Sequence, residues 1–158
     1  MKPSIAIILK EKLNLKEENI GFNTLEERIA VLDLSDFRVK ELKNEKIKSI
    51  DKELIKSDVF RNEIKTINTD EIVGLFDRPC DTAQNWLELL ASLHKRRNFE
   101  LYENRDSFED FLIHCEEDLP RVLKINNKYY ISGNGKHRLT MAKCLGGIKA
   151  KVEIETVI

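Results

Sequence analysis

Hydrophobic positions along the chain change their rhythm near residue 57. In the first stretch they recur at helical spacing. Thr24-Leu25-Glu26-Glu27 is a capping-box pattern, a hydroxyl followed three residues later by a carboxylate, and Ile29, Val31 and Leu32 follow it. A second helix is predicted from near Ser35, with Val39, Leu42, Ile47, Ile50 and Leu54 on one face and lysines and glutamates on the other. Residues 1–57 are therefore expected to form a helical N-terminal extension that packs on the remainder or on a protein partner.

Residues 58–158 mix strand and helix patterns. Glu63–Ile67 alternates like a half-buried strand, Asn68-Thr69-Asp70 is turn chemistry, and Glu71–Phe76 leads into Asp77-Arg78-Pro79-Cys80-Asp81, where proline forbids a continuing helix. Ala83, Trp86, Leu87, Leu90 and Ala91 mark a helix that Asp81 or Thr82 would cap. Phe99–Tyr102 suggests a short strand, and Ser107 the start of a helix bearing Phe108, Phe111, Leu112 and Cys115. Arg121–Ile125 and Lys128–Ser132 flank Asn126-Asn127, a two-residue hairpin signal. A helix over about His137–Leu145 ends at Gly146-Gly147, and Ile148, Ala150, Val152 and Ile154 alternate with charged residues as a closing strand. Without a regular βαβ rhythm, the expected class is α+β.

Composition narrows the function classes. The 158 residues carry 27 Lys plus Arg against 28 Asp plus Glu, a net charge of −1 with the signs interspersed, so no global field draws the chain to nucleic acid or anionic lipid. The apolar run Ile5–Leu9 is too short to span a bilayer and is followed at once by charges, so a soluble, cytoplasmic protein without membrane contact is expected. Cys80, Cys115 and Cys144 are odd in number and far apart, which gives neither a disulfide framework nor a paired metal motif. His94, His114 and His137 lack zinc-site spacing.

Candidate chemistry concentrates in Ser132-Gly133-Asn134-Gly135-Lys136-His137-Arg138, where a strand enters a glycine-bracketed turn and then a helix. The first turn of a helix offers unpaired N–H groups and a partial positive charge, a poor place for Lys-His-Arg unless an anion is bound there. Phosphate oxygens would accept from the backbone and pair with Lys136 and Arg138, while Gly133 and Gly135 would let the backbone approach. Asn134-Gly135 is equally a strong turn dipeptide, and neither the dinucleotide nor the Walker glycine pattern is matched, so spacing alone leaves a phosphate site and a plain turn both open.

The run Ile131–Leu139, with Ala142-Lys143 and Leu145-Gly146 after it, resembles the G-x-His-Arg box of the ParB/sulfiredoxin superfamily. Ile67–Gly74 with Arg78 resembles the opening segment of small ParB-like domains, and the likeness covers about residues 63–158. It implies a ParB/sulfiredoxin-like mixed sheet with packed helices, preceded here by the helical extension. It further implies a nucleotide, CTP in ParB-like proteins and ATP or ADP in sulfiredoxins and related free-serine kinases. Gly133, Asn134, Gly135, Lys136, His137 and Arg138 would form its phosphate loop, with Arg78 a second contact. Glu71 and Asp77 would be candidate Mg²⁺ ligands or bases, and with His137 they form the candidate catalytic set for phosphoryl transfer or NTP hydrolysis. Sulfiredoxins place a catalytic cysteine immediately before His-Arg, and here that position is Lys136, so sulfinic acid reduction is not expected. ParB partition proteins continue into a helix-turn-helix domain, whereas this sequence stops at Ile158, so chromosome partition is not expected either.

Two other readings stay open. Lys95-Arg96-Arg97 with Lys136 and Arg138 would suit DNA or RNA, or a nuclease-like role, although near-zero net charge and 7% aromatic content disfavour it. A non-enzymatic interaction module would use the N-terminal helices for a partner and the loop as a simple turn.

Overall fold

The structure, a computed structural model, describes residues 22, 24–50, 60–76, 82–95 and 97–157. Helices α1 (Leu25–Val31) and α2 (Asp36–Asn44) precede β1 (Lys48–Ile50) and β2 (Phe60–Asn68). A 3-10 turn (Thr69–Glu71) leads to β3 (Ile72–Phe76), followed by α3 (Trp86–Ser92), α4 (Arg97–Leu101) and α5 (Arg105–His114). The hairpin β4 (Arg121–Ile125) and β5 (Lys128–Ile131), helix α6 (Lys136–Leu145) and β6 (Lys149–Val157) complete an α+β fold. The six strands form one mixed sheet in the order β1-β3-β5-β4-β6-β2. The β1–β3, β3–β5 and β4–β6 pairs are parallel, and β4–β5 and β6–β2 are antiparallel.

Local chemistry explains most boundaries. At α1 the Glu27 N–H donates to Thr24 Oγ1 (3.2 Å), and the Glu27 carboxylate reaches back to the Phe22 N–H (2.9 Å), a variant of the anticipated capping box. Asn126 and Asn127 adopt φ of 51° and 63°, the left-handed pair a two-residue hairpin turn requires. Other boundaries differ from expectation. Helix α2 stops at Asn44, and Ile47 and Ile50 belong instead to the approach and end of β1, which pairs with β3. Gly74 makes that pairing possible, because a Cβ there would lie 1.9 Å from the Lys48 carbonyl oxygen. Helix α3 starts at Trp86, capped by Asn85 rather than by Thr82, and α5 is capped by Asn104 three residues before Ser107. Phe99–Tyr102 is not a strand: Phe99 sits inside α4 and is fully buried. The Asp81 cap lies outside the described residues.

The core joins the helices to one face of the sheet. Leu42, Trp86, Leu89, Leu90, Phe99, Leu139 and Met141 pack with Ile72, Val122, Ile131, Val152 and Ile154 in one apolar cluster. The N-terminal helices belong to it through Val31, Leu32 and Leu42. Arg28, a residue only 2% exposed, ties α1 down further: its guanidinium donates to the carbonyls of Phe22 (2.8 Å), Leu90 (2.7 Å), Ala91 (2.9 Å) and Leu93 (2.6 Å). It also lies 4.7 Å over the Phe99 ring. Among the described residues no helix is long and apolar enough to cross a membrane.

Candidate functional site

The segment singled out by its glycines is positioned by the β4–β5 hairpin and by α6. The Ser132 N–H donates to the Arg121 carbonyl (3.1 Å) and the Arg121 N–H to the Asn134 carbonyl (3.0 Å), so the hairpin ladder runs on into the loop. Gly135 then turns the chain at φ 93° into α6. A Cβ at Gly135 would meet Pro120 at 2.6 Å, so glycine is required here both by conformation and by space. Gly135, the residue in the N-cap position, has no side chain with which to cap α6. Its far end is treated differently. Arg38 donates to the Lys143 (2.6 Å) and Cys144 (2.9 Å) carbonyls, and Arg105 donates to those of Leu145 and Gly146. Two distant cations thus complement the negative end of the helix dipole, while the positive end opens towards solvent.

That open end faces a concavity of about 540 Å³. Lys95 approaches it from the segment between α3 and α4, Arg97 from the start of α4, and Lys136 and Arg138 from α6. The other described lining residues are histidines, amides, Gly135 and Leu101, with no carboxylate among them. The two basic clusters that the sequence separates by some forty positions therefore meet on one surface; Arg96 lies outside the described residues.

Within the loop, side chains hold structure as well as facing the concavity. Arg138 Nη2 (2.6 Å) and Asn134 Nδ2 (3.1 Å) both donate to the Asp118 carbonyl, fixing the turn before β4. His137 is 8% exposed, its Nε2 accepts from the Lys95 N–H at 3.0 Å, and its ring meets His94 edge-on at 4.8 Å. Accepting that bond requires a neutral imidazole with its proton on Nδ1. Burial, then the charges of His94, Lys136, Lys95 and Arg28, push the His137 pKa down from 6.5 to about 4. His137 thus positions the strand of chain that carries Lys95.

A pH dependence follows from that depressed value. Between about pH 6.5 and 4 the unfolded chain binds a proton at this imidazole that the folded protein does not, so stability falls as pH is lowered through that window. The expected loss by pH 4 is about 1–3 kcal/mol, discounted for solvent screening of the surrounding charges. Urea unfolding at pH 7 and pH 4.5 measures it, and His137→Gln should flatten this part of the profile.

The remaining candidates fall elsewhere. Glu71 ends the 3-10 turn at the Ile72–Tyr129 end of the β3–β5 pair, whereas the loop leaves from Ile131, which pairs with Leu75. Its neighbour Asp70 accepts from the Gly147 N–H (2.9 Å) beyond the C-terminus of α6, roughly 15 Å of helix from Gly135. The structure therefore does not bring Glu71 to the loop. Asp77 and Arg78 lie outside the described residues, as does Cys80. No cluster of three or more metal-ligating side chains occurs among the described residues. Of the two described cysteines, Cys144 lies in the core, its thiol pushed up to about 12 by burial. Cys115 does not: it is half-buried just beyond α5, its thiol donating to the Glu117 carbonyl at 2.9 Å.

A second, larger concavity of about 970 Å³ adjoins the first and shares Asn98, Leu101, Asn134 and Arg138 with it. Leu101 and Phe111, 66% and 54% exposed, and the half-buried Phe108 give it an apolar floor. The sequence does not reveal this part, since Leu101 falls in the stretch that reads as a strand and Phe111 is one of four apolar residues borne by the following helix.

Comparison of the chain with protein-family models, curated proteins and solved structures yields no match.

Proposed function

We propose that this protein binds a nucleotide, with the phosphates at the N-terminus of α6 and the nucleoside against Leu101 and Phe111. The observation that carries the reading is the cationic concavity at that helix end, lined by Lys95, Arg97, Lys136 and Arg138 without a carboxylate. An anion placed there would accept from backbone N–H groups and relieve the repulsion among the cations that, after burial, helps to depress His137. The adjoining apolar floor favours a phosphate ester with a flat, partly apolar body over inorganic phosphate. The likeness of Gly133–Arg138 to the ParB/sulfiredoxin box supports the same ligand class, with ATP and CTP as the first nucleotides to test.

In this reading Lys95, Arg97 and Lys136 supply charge, Gly133 and Gly135 supply backbone access, and Asn134 and Arg138 hold the loop against Asp118 while Arg138 keeps donors for the ligand. His137 serves as a positioning residue, since its Nε2 is already occupied by the Lys95 N–H. Mg²⁺ would arrive on the phosphates, with Asp77 the remaining candidate ligand, and any phosphoryl transfer or hydrolysis would depend on it.

Charge removal gives the test. Lys136→Ala and Arg97→Ala are each expected to weaken ATP or CTP binding by about tenfold, measured by equilibrium dialysis at low salt. A DNA or RNA duplex that bound more tightly than either nucleotide, with a steep salt dependence, would replace this reading with the nucleic-acid one.

A further inference from the structure

Strand β2 closes one edge of the sheet, and its pattern of exposure is unusual. Every side chain from Arg61 to Thr66 is exposed, on both faces, and Ile64 is 61% exposed. Among the described residues no strand pairs with its outer edge. An exposed edge strand of nine residues is a ready template for another chain, unless its side chains forbid the pairing.

The backbone phase is fixed by the inner ladder. Thr69, opposite Ile148 in the continuing register, donates its N–H to the Ile148 carbonyl (2.9 Å), so odd-numbered residues turn their backbone groups towards β6. The even-numbered residues from Phe60 to Asn68 turn theirs outwards. Ile64 is the midpoint of the strand and one of these outward residues.

We infer that β2 is the site of self-association, pairing antiparallel with β2 of a second copy about a two-fold axis through Ile64. In that register Ile64 faces Ile64, Asn62 faces Thr66, and Phe60 faces Asn68, so each outward N–H and C=O along the strand finds a partner. Glu63 faces Lys65 twice, at the non-hydrogen-bonded positions where opposing side chains come closest. Neither residue makes a salt bridge among the described residues. The nearest registers that keep the backbone phase are excluded by charge: one sets Glu63 against Glu63 and Arg61 against Lys65, the other Lys65 against Lys65. Of the three in-phase registers that pair seven or more of the nine residues, the charges are therefore complementary only in the one with full overlap; a register centred on Asn62 also sets Arg61 against Glu63, but it pairs only five residues. The two sheets would join into one continuous sheet, an isologous contact of the kind a two-fold dimer uses. The inference is independent of the nucleotide site, since β2 and the loop lie on different parts of the sheet.

Sedimentation equilibrium of the full chain, without nucleotide, tests it. At protein concentrations on the order of 100 µM the wild type is expected at twice the 18.4 kDa chain mass. Glu63→Lys should raise the dissociation constant at least about tenfold, and the exchanged pair Glu63→Lys with Lys65→Glu should restore it to within about threefold of wild type. Ile64→Pro removes only an outward N–H, so it should give a monomer with unchanged far-UV circular dichroism. A wild type that stays monomeric overturns the inference. So does a dimer that neither Glu63→Lys nor Ile64→Pro weakens, or a folded charge-exchanged variant that remains as dissociated as Glu63→Lys.

Discussion

Replacing Arg28 with methionine is expected to lower the unfolding free energy by about 3–5 kcal/mol, the range for removing one partner from a buried charged network. The methionine fills much of the volume, so the loss isolates the guanidinium. Four carbonyl oxygens, from Phe22, Leu90, Ala91 and Leu93, would lose their donors together. Leu90, Ala91 and Leu93 span the C-terminal end of α3, where helix carbonyls have no partners of their own, and Arg28 serves as their cap from another element. Phe99 would lose the cation over its ring, loosening α4 at the base of the basic concavity. Burial pushes the Arg28 pKa down, and the neighbouring Glu27 carboxylate partly offsets that. Arg28→Lys should recover only part of the stability, because three donors on a single nitrogen cannot span carbonyls served by a planar fork. Urea denaturation of the three proteins checks the order. The same contacts predict that removing residues 1–57 unfolds the remainder, since Arg28, Val31, Leu32 and Leu42 leave with it.

Gly135→Ala is expected to cost about 2–4 kcal/mol of stability and to abolish measurable nucleotide binding. Two penalties act at once. The left-handed φ of 93° strains any residue with a Cβ, and that Cβ would lie 2.6 Å from the Pro120 Cβ and 2.8 Å from its Cα. Pro120 cannot yield easily, because its carbonyl accepts from the Glu153 N–H (2.9 Å) and anchors β4 to β6. Relief must come from the loop, which would displace the first turn of α6 from the concavity. A thermal melt read beside a binding titration separates the effects, since Gly133→Ala meets only Arg121 side-chain carbons at 3.4 Å and should leave stability nearly unchanged.

What was legible in the sequence was chemistry that acts within a few residues. Thr24 with Glu27, the Asn126-Asn127 turn and the glycines around α6 announce themselves because the groups that satisfy the backbone are local. Features fixed by distant partners were not legible. Lys48–Ile50 becomes a strand because Gly74 lets β1 approach β3, although Ile47 and Ile50 fit a helical stripe equally well. Five residues are too few to show a period, so α4 looked like a strand, and what holds it is the burial of Phe99 beneath Arg28. For the site, the cationic loop was visible, while its junction with Lys95 and Arg97 depends on the His137 bond to the Lys95 N–H across forty-two positions. Arg28 carried one signal that could have been used: a charge three residues after Leu25 and beside Ile29, on the apolar stripe of its helix.

The central claim is tested most directly by following backbone amide resonances of the full-length protein during titration with ATP and with CTP, each with Mg²⁺. The account predicts saturable shifts for at least one nucleotide, largest at the Lys136, His137 and Arg138 amides, with smaller ones at Leu101 and Phe111. No shift with either nucleotide, or shifts confined to the opposite end of α6 around Arg38 and Gly146, would contradict it.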